Sequence, residues 1–101
     1  MHRTDSIIDD YTDGKRCYLT GYVGVGLDLH HIFNGAKRKW SDKNGTWVYL
    51  RHDVHMEIHQ KRTDVAIELK KIAQVKWEQL HREEYDDVRA EFIKQVGKSY
   101  V

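Results

Sequence analysis

Hydrophobic and polar positions change period along the chain, from that of strands to that of helices. From Tyr22 to Phe33, "YVGVGLDLHHIF", β-branched and apolar residues mix with polar ones, and Gly24 and Gly26 interrupt them. That pattern predicts a strand entered through a bend. "TWVYLR" (46–51) alternates and is rich in strand formers, which makes it the second strand of a hairpin. Beyond Asp53 the period lengthens to that of a helix. Asp53 is a candidate N-cap before "VHMEIHQK", and Thr63 is a candidate cap for a second start. Val65, Leu69, Ile72, Ala73 and Leu80 then form a helical apolar stripe, with Trp77 in the core beside it. Tyr85, Val88, Phe92 and Val96 line one side of a last helix, which Gly97 stops. The break at 81–84 holds neither Gly nor Pro, so one bent helix is an alternative to two. Residues 1–14 have weak periodicity and read as a loose start. "KRCYLTG" (15–21) reads as a short strand or turn. "NGAKRKWSDKNG" (34–45), with Asn-Gly at both ends, reads as a long basic loop. The sum is one α+β domain without repeats: a hairpin, a helix, then a helical tail.

Composition narrows the class. The chain has 101 residues, 33% charged and 40% hydrophobic, which fits a soluble globular domain with one modest core. No apolar run is long enough for a membrane span, and none near the charged N-terminus has signal-peptide length, so no export is expected. The single cysteine, Cys17, excludes an internal disulfide and suits a reducing cytoplasm; it reads as buried filler. A net charge of +1 does not announce a nucleic-acid binder, so any such role must rest on local patches. Histidine is the informative excess: of seven, all but His2 and His81 fall between positions 30 and 59. His2 and His81 read as surface residues.

His55 and His59 are four apart, so a helix sets them on one face, one turn from each other. Two imidazoles at that spacing suit one metal ion, although such a pair is often only a solvated face. His30 and His31 are adjacent on a strand and therefore point to opposite faces. A hairpin followed by a helix can lay the helix over the first strand. His30, His55 and His59 then share an ion with one position open to water or phosphate, and His31 stays free. An imidazole titrating near ~6.5 is a competent base at neutrality, and metal plus base is the minimum for phosphodiester hydrolysis. Lys37, Arg38, Lys39 and Lys43 suit phosphate contacts without sequence choice, or else form a solvated loop. Trp40 among them reads as core. His52 either meets substrate or bonds the backbone, and Asp28 either orients a histidine or is simply exposed. The Gly24-x-Gly26 pair is not followed by a strand–loop–helix that would cradle a nucleotide.

"LHHIF", "WVYLR" and "HDVHMEIH" resemble the ββα-metal (His-Me finger) core of HNH endonucleases, here over residues 17–62, with 63–101 as a helical extension. More broadly, "HHIFNGAKRKWSDKNG", "KKIAQVKWE" and "EFIKQVGKSYV" are similar to small bacteriophage proteins of the RecA-dependent, recombination-enhancing nuclease group. The resemblance implies His30 as metal ligand, His31 as general base and further ligation by His55 and His59. It also implies one divalent ion (Mg, Mn, Ni or Zn), DNA as substrate, 5′-phosphate and 3′-hydroxyl products, a RecA-type recombinase as partner, and a bacterial host cytoplasm. Two features depart from the family pattern. Its paired C-x-x-C zinc knuckles are here "CYLT" and "RHDV", and one cysteine cannot make a four-thiolate site, so apolar packing should replace that zinc. Its central Asn falls at Thr46, with Asn44 two residues away to serve through a shifted loop. The alternative is a non-catalytic DNA- or recombinase-binding protein on a degenerate HNH scaffold; a third reading is a structural zinc module built on histidine. A concerted double-strand break by a site that nicks one strand would take two copies, so monomer and homodimer both stay open.

Overall fold

A computed structural model describes residues 3–101; the expectation for His2 lies outside the described residues. The elements are β1 (Leu27–His31), α1 (Arg38–Asn44) entered through one 3-10 turn, β2 (Trp47–Arg51), α2 (His52–Gln60), α3 (Thr63–His81) and α4 (Val88–Val96). The strands pair antiparallel, with His30 opposite Val48 and His31 opposite Trp47. The architecture is α+β, a two-stranded hairpin with four α-helices, and its order of hairpin then helix is compatible with a small ββα fold. Among the described residues, no helix is long and apolar enough to cross a membrane.

The core forms where the hairpin meets α2, α3 and α4. Val48 and Leu50 are wholly buried, and they pack with Ile32, Phe33, Ile58, Leu69, Ala73, Trp77 and Phe92. Phe33, Trp40, Trp77 and Phe92 form its aromatic part, with neighbouring ring centroids such as Phe33–Trp40 at 5.6 Å and Trp40–Trp77 at 5.9 Å. All of these pairs but the tilted Trp40–Trp77 meet edge to face, which adds to the burial of large apolar area. The buried Gln74 clasps the C-terminus: its amide donates to Ser99 Oγ, and its oxygen accepts from Tyr100 N at 2.7 Å.

Segment 34–45 is not a loop. Its middle is α1, because Ser41 Oγ bridges Phe33 O and Thr46 Oγ1 in the core while Trp40 packs inward. Gly45 closes α1 at φ +71°, a left-handed position that side chains resist. The break after α3 yields two helices rather than one bent one, and Asp87 caps α4 by accepting from Ala90 N at 3.0 Å. Asp53 and Thr63 do not cap: each lies in the first turn of its helix, and the cap positions are Arg51 and Arg62. Leu80 leaves the stripe at 61% exposure. The buried row follows the four-residue spacing Leu69, Ala73, Trp77, and the half-buried ring of His81 continues it, 4.4 Å from the Trp77 ring.

The start of the described chain is irregular but docked. Ile7 N donates to Gly45 O at 2.9 Å, Ser6 Oγ to Trp47 O at 2.6 Å, and Trp47 Nε1 to Thr4 O at 2.8 Å. Tyr11 Oη accepts from Tyr49 N at 3.0 Å, and Tyr18 N donates to Tyr49 O at 2.8 Å. These bonds satisfy the outer edge of β2, which a two-stranded sheet would otherwise present unpaired. Cys17 is buried in the turn that follows. Burial raises its thiol, but bonds from the Thr20 hydroxyl and the Arg51 backbone outweigh this and lower it.

Candidate functional site

The pleat of β1 sets Asp28 and His30 on one face and His31 on the other. No loop separates β2 from α2, and His52 N donates to Gly26 O at 2.8 Å, which pins the start of α2 beside the start of β1. The first turn of α2 therefore lies against Asp28. Its carboxylate Oδ2 accepts from His52 Nδ1 at 2.7 Å and from His55 Nδ1 at 2.9 Å. One helical turn later comes His59. The ring centroids are 5.1 Å apart for His30–His55, 5.6 Å for His30–His59 and 4.7 Å for His55–His59.

This is a cluster that can hold a metal ion: His30, His55 and His59 each offer a ring nitrogen, all within 4.8 Å of one another. His55 Nε2 lies 3.0 Å from His59 Nε2. A tetrahedral ion with metal–nitrogen bonds of about 2.0–2.1 Å spaces its ligands about 3.3 Å apart, so the cluster needs only small ring movements to close. Two details fit ligation. The Asp28 carboxylate only accepts, so it fixes the His55 proton on Nδ1 and leaves Nε2 for the centre. His30 is 3% exposed and is pushed down to about 3, first by burial, then by the charges of His55, His59, His31 and Lys70, so it is neutral as a ligand must be. The Asp28 carboxyl is held low, chiefly by its bond from His55.

His31 stands apart from the cluster, as alternation predicts. Its Nε2 meets Asp42 Oδ1 at 2.7 Å, and the same oxygen accepts from Arg3 Nε at 2.8 Å. Burial raises the Asp42 carboxyl, but the bonds from Arg3 and His31 outweigh it and the net direction is down. Sequence reasoning missed Asp42, because it lies in the segment read as a loop. The signal that could have found it is a helical reading of 38–44, which makes Asp42 the only acid among four cations, Arg38, Lys39, Lys43 and the preceding Lys37.

Other candidates go elsewhere. Asn44 does not serve His31: its amide donates to Trp40 O and its Oδ1 accepts from Trp77 Nε1, both at 2.9 Å, so the side chain ties α1 to α3. Thr46 is buried and donates to Ser41 Oγ. Lys37 does not stay with the surface cations: its ammonium donates to Gln95 O near the end of α4. Arg38, Lys39 and Lys43 are exposed, and none forms an ion pair among the described residues. His52 is exposed, with Nδ1 on Asp28 rather than on the backbone. Comparison with protein-family models, with curated proteins and with solved structures returns no match for this chain.

Proposed function

We propose that the protein is a metal-dependent DNA endonuclease of the HNH type, with a ββα-metal (His-Me finger) core, of phage or prophage origin and acting in recombination in the host cytoplasm. One observation carries this reading: three imidazoles from β1 and α2 converge while a fourth, His31, the chain neighbour of His30, stays outside the cluster with its Nε2 on a carboxylate. His30, His55 and His59 would hold one divalent ion, Mg, Mn, Ni or Zn. Once bound, it would supply Lewis-acid stabilisation of charge on the phosphate and the departing oxygen.

The chain's own residues supply the rest. His31 takes a proton from water, and the oxygen of that water forms the new bond to phosphorus. The P–O3′ bond breaks, O3′ leaves with the electron pair and takes a proton from solvent, and a 5′-phosphate remains. Arg38, Lys39 and Lys43 grip the DNA backbone without reading its sequence, and His52 offers an exposed ring near the phosphate. Supercoiled plasmid incubated with Mg²⁺, Mn²⁺ or Ni²⁺ should be nicked, and EDTA should stop it. His31→Ala should lose cleavage and keep metal binding by calorimetry. Nicking by His31→Ala at the parent rate would overturn the assignment of the base. A second reading, a non-catalytic binder of DNA or of a RecA-type recombinase, is favoured by the diversion of Asn44 to Trp40 and Trp77. Tight DNA binding with no nicking in any of these metals would establish it in place of the first.

A further inference from the structure

His31 meets a carboxylate where the nuclease reading asks only for a free base. The bond is short at 2.7 Å, and the His31 side chain is 10% exposed, so water competes little for this one hydrogen bond. Asp42 is itself held from two further sides. Arg3 Nε donates to the same Oδ1 at 2.8 Å, and Thr4 N donates to Asp42 O at 2.9 Å, so the first described residues pin the carboxylate against the base. An ionised carboxylate has no hydrogen to give. The His31 nitrogen that faces it must therefore be the protonated one. The other, Nδ1, makes no hydrogen bond among the described residues.

We propose that Asp42 is a positioning residue for His31: it fixes the ring with its hydrogen on Nε2, directed at Oδ1, and so leaves the Nδ1 lone pair as the atom that takes the proton from water. The inference rests on the nuclease reading for its catalytic consequence and on the Arg3–Asp42–His31 geometry for the tautomer itself. A neutral partner can donate as well as accept, so it would let the ring adopt either tautomer, and the wrong one presents a hydrogen where a lone pair is needed. Loss of an orienting carboxylate with the geometry otherwise intact costs a histidine base about 10⁴-fold in turnover in the best-studied case.

The test has two arms. In the first, the full-length protein is labelled with ¹⁵N histidine, and the ring nitrogens of His31 are assigned by the signal missing from His31→Gln. The metal-free protein should show one tautomer with the hydrogen on Nε2, and Asp42→Asn should convert it to a mixture. A parent ring that carries its hydrogen on Nδ1, or an Asp42→Asn ring with unchanged shifts, overturns the proposal. This arm needs no cleavage, so a parent protein inactive in every metal would sink the nuclease reading while the tautomer is still measured. In the second arm, plasmid nicking by Asp42→Asn should fall by roughly 10²–10⁴-fold in kcat with KM held within about threefold. Asp42→Glu, which keeps the carboxylate, should recover most of the rate. Equal loss in both variants, or a change confined to KM, would mean that Asp42 only holds α1 in place, and would overturn the proposal. The parent tautomer decides the matter even where a variant does not fold.

Discussion

His30 is pushed down to about 3 by burial and by the neighbouring imidazoles, whereas an imidazole in an unfolded chain titrates near ~6.5. Between those values the unfolded chain binds a proton that the folded protein refuses. The sign follows: the contribution to stability is complete above ~6.5 and is lost as pH falls, by up to about 1.4 kcal/mol per unit. Urea unfolding of the EDTA-treated protein should therefore lose about 2 kcal/mol between pH 6.5 and pH 5. His30→Leu should remove most of that slope, and an unchanged slope in the variant would assign the acid sensitivity to other groups. At this scale much was legible in the sequence. The grouping of His30, His55 and His59, and the separation of His31, follow from strand alternation and the four-residue helix step, which are local rules. Asp28 stood open between two roles, and the structure sets it between His52 and His55. The partners of Asp42 and Asn44 were not legible, because they lie 11 and 33 residues away. Only packing brings them together.

Among the elements, both strands and three of the four helices follow from period and turn residues. α1 does not. Its Asn-Gly brackets and its cations are loop signals, and what makes it a helix is tertiary: Ser41 bonded inside the core, Trp40 against Trp77 and Phe92, and Gly45 at the end. Gly45 is also where the N-terminal segment crosses closely, since a Cβ there would collide with the backbone oxygen of Asp5. Gly45→Ala must strain φ and push the segment away together, and should cost about 1–3 kcal/mol in thermal or urea unfolding. An alanine variant as stable as the parent would show that this crossing is not tight. The same logic explains why the start of the chain looked loose in the sequence: its bonds run to α1 and β2 about 40 residues on, and no local period encodes them.

For the whole molecule, a net charge of +1 hides an uneven surface. Arg38, Lys39 and Lys43 stand exposed on α1, the helix that also presents Asp42 to His31, so on the proposed nuclease reading DNA-backbone contact would come from the element that holds His31. Replacing the three with Gln should weaken DNA binding about equally across sequences. It should also lower the slope of log affinity against log salt by about 0.9 for each phosphate no longer neutralised. A slope that does not move would put the DNA elsewhere. The seam along β2 has its own consequence. The amide of Tyr49 is held not by a neighbouring strand but by the hydroxyl of Tyr11, across 38 residues. Its exchange with deuterium becomes a clock for one event, the lifting of the opening segment from the hairpin, and can be timed in the intact protein against the slower amides of the paired strands.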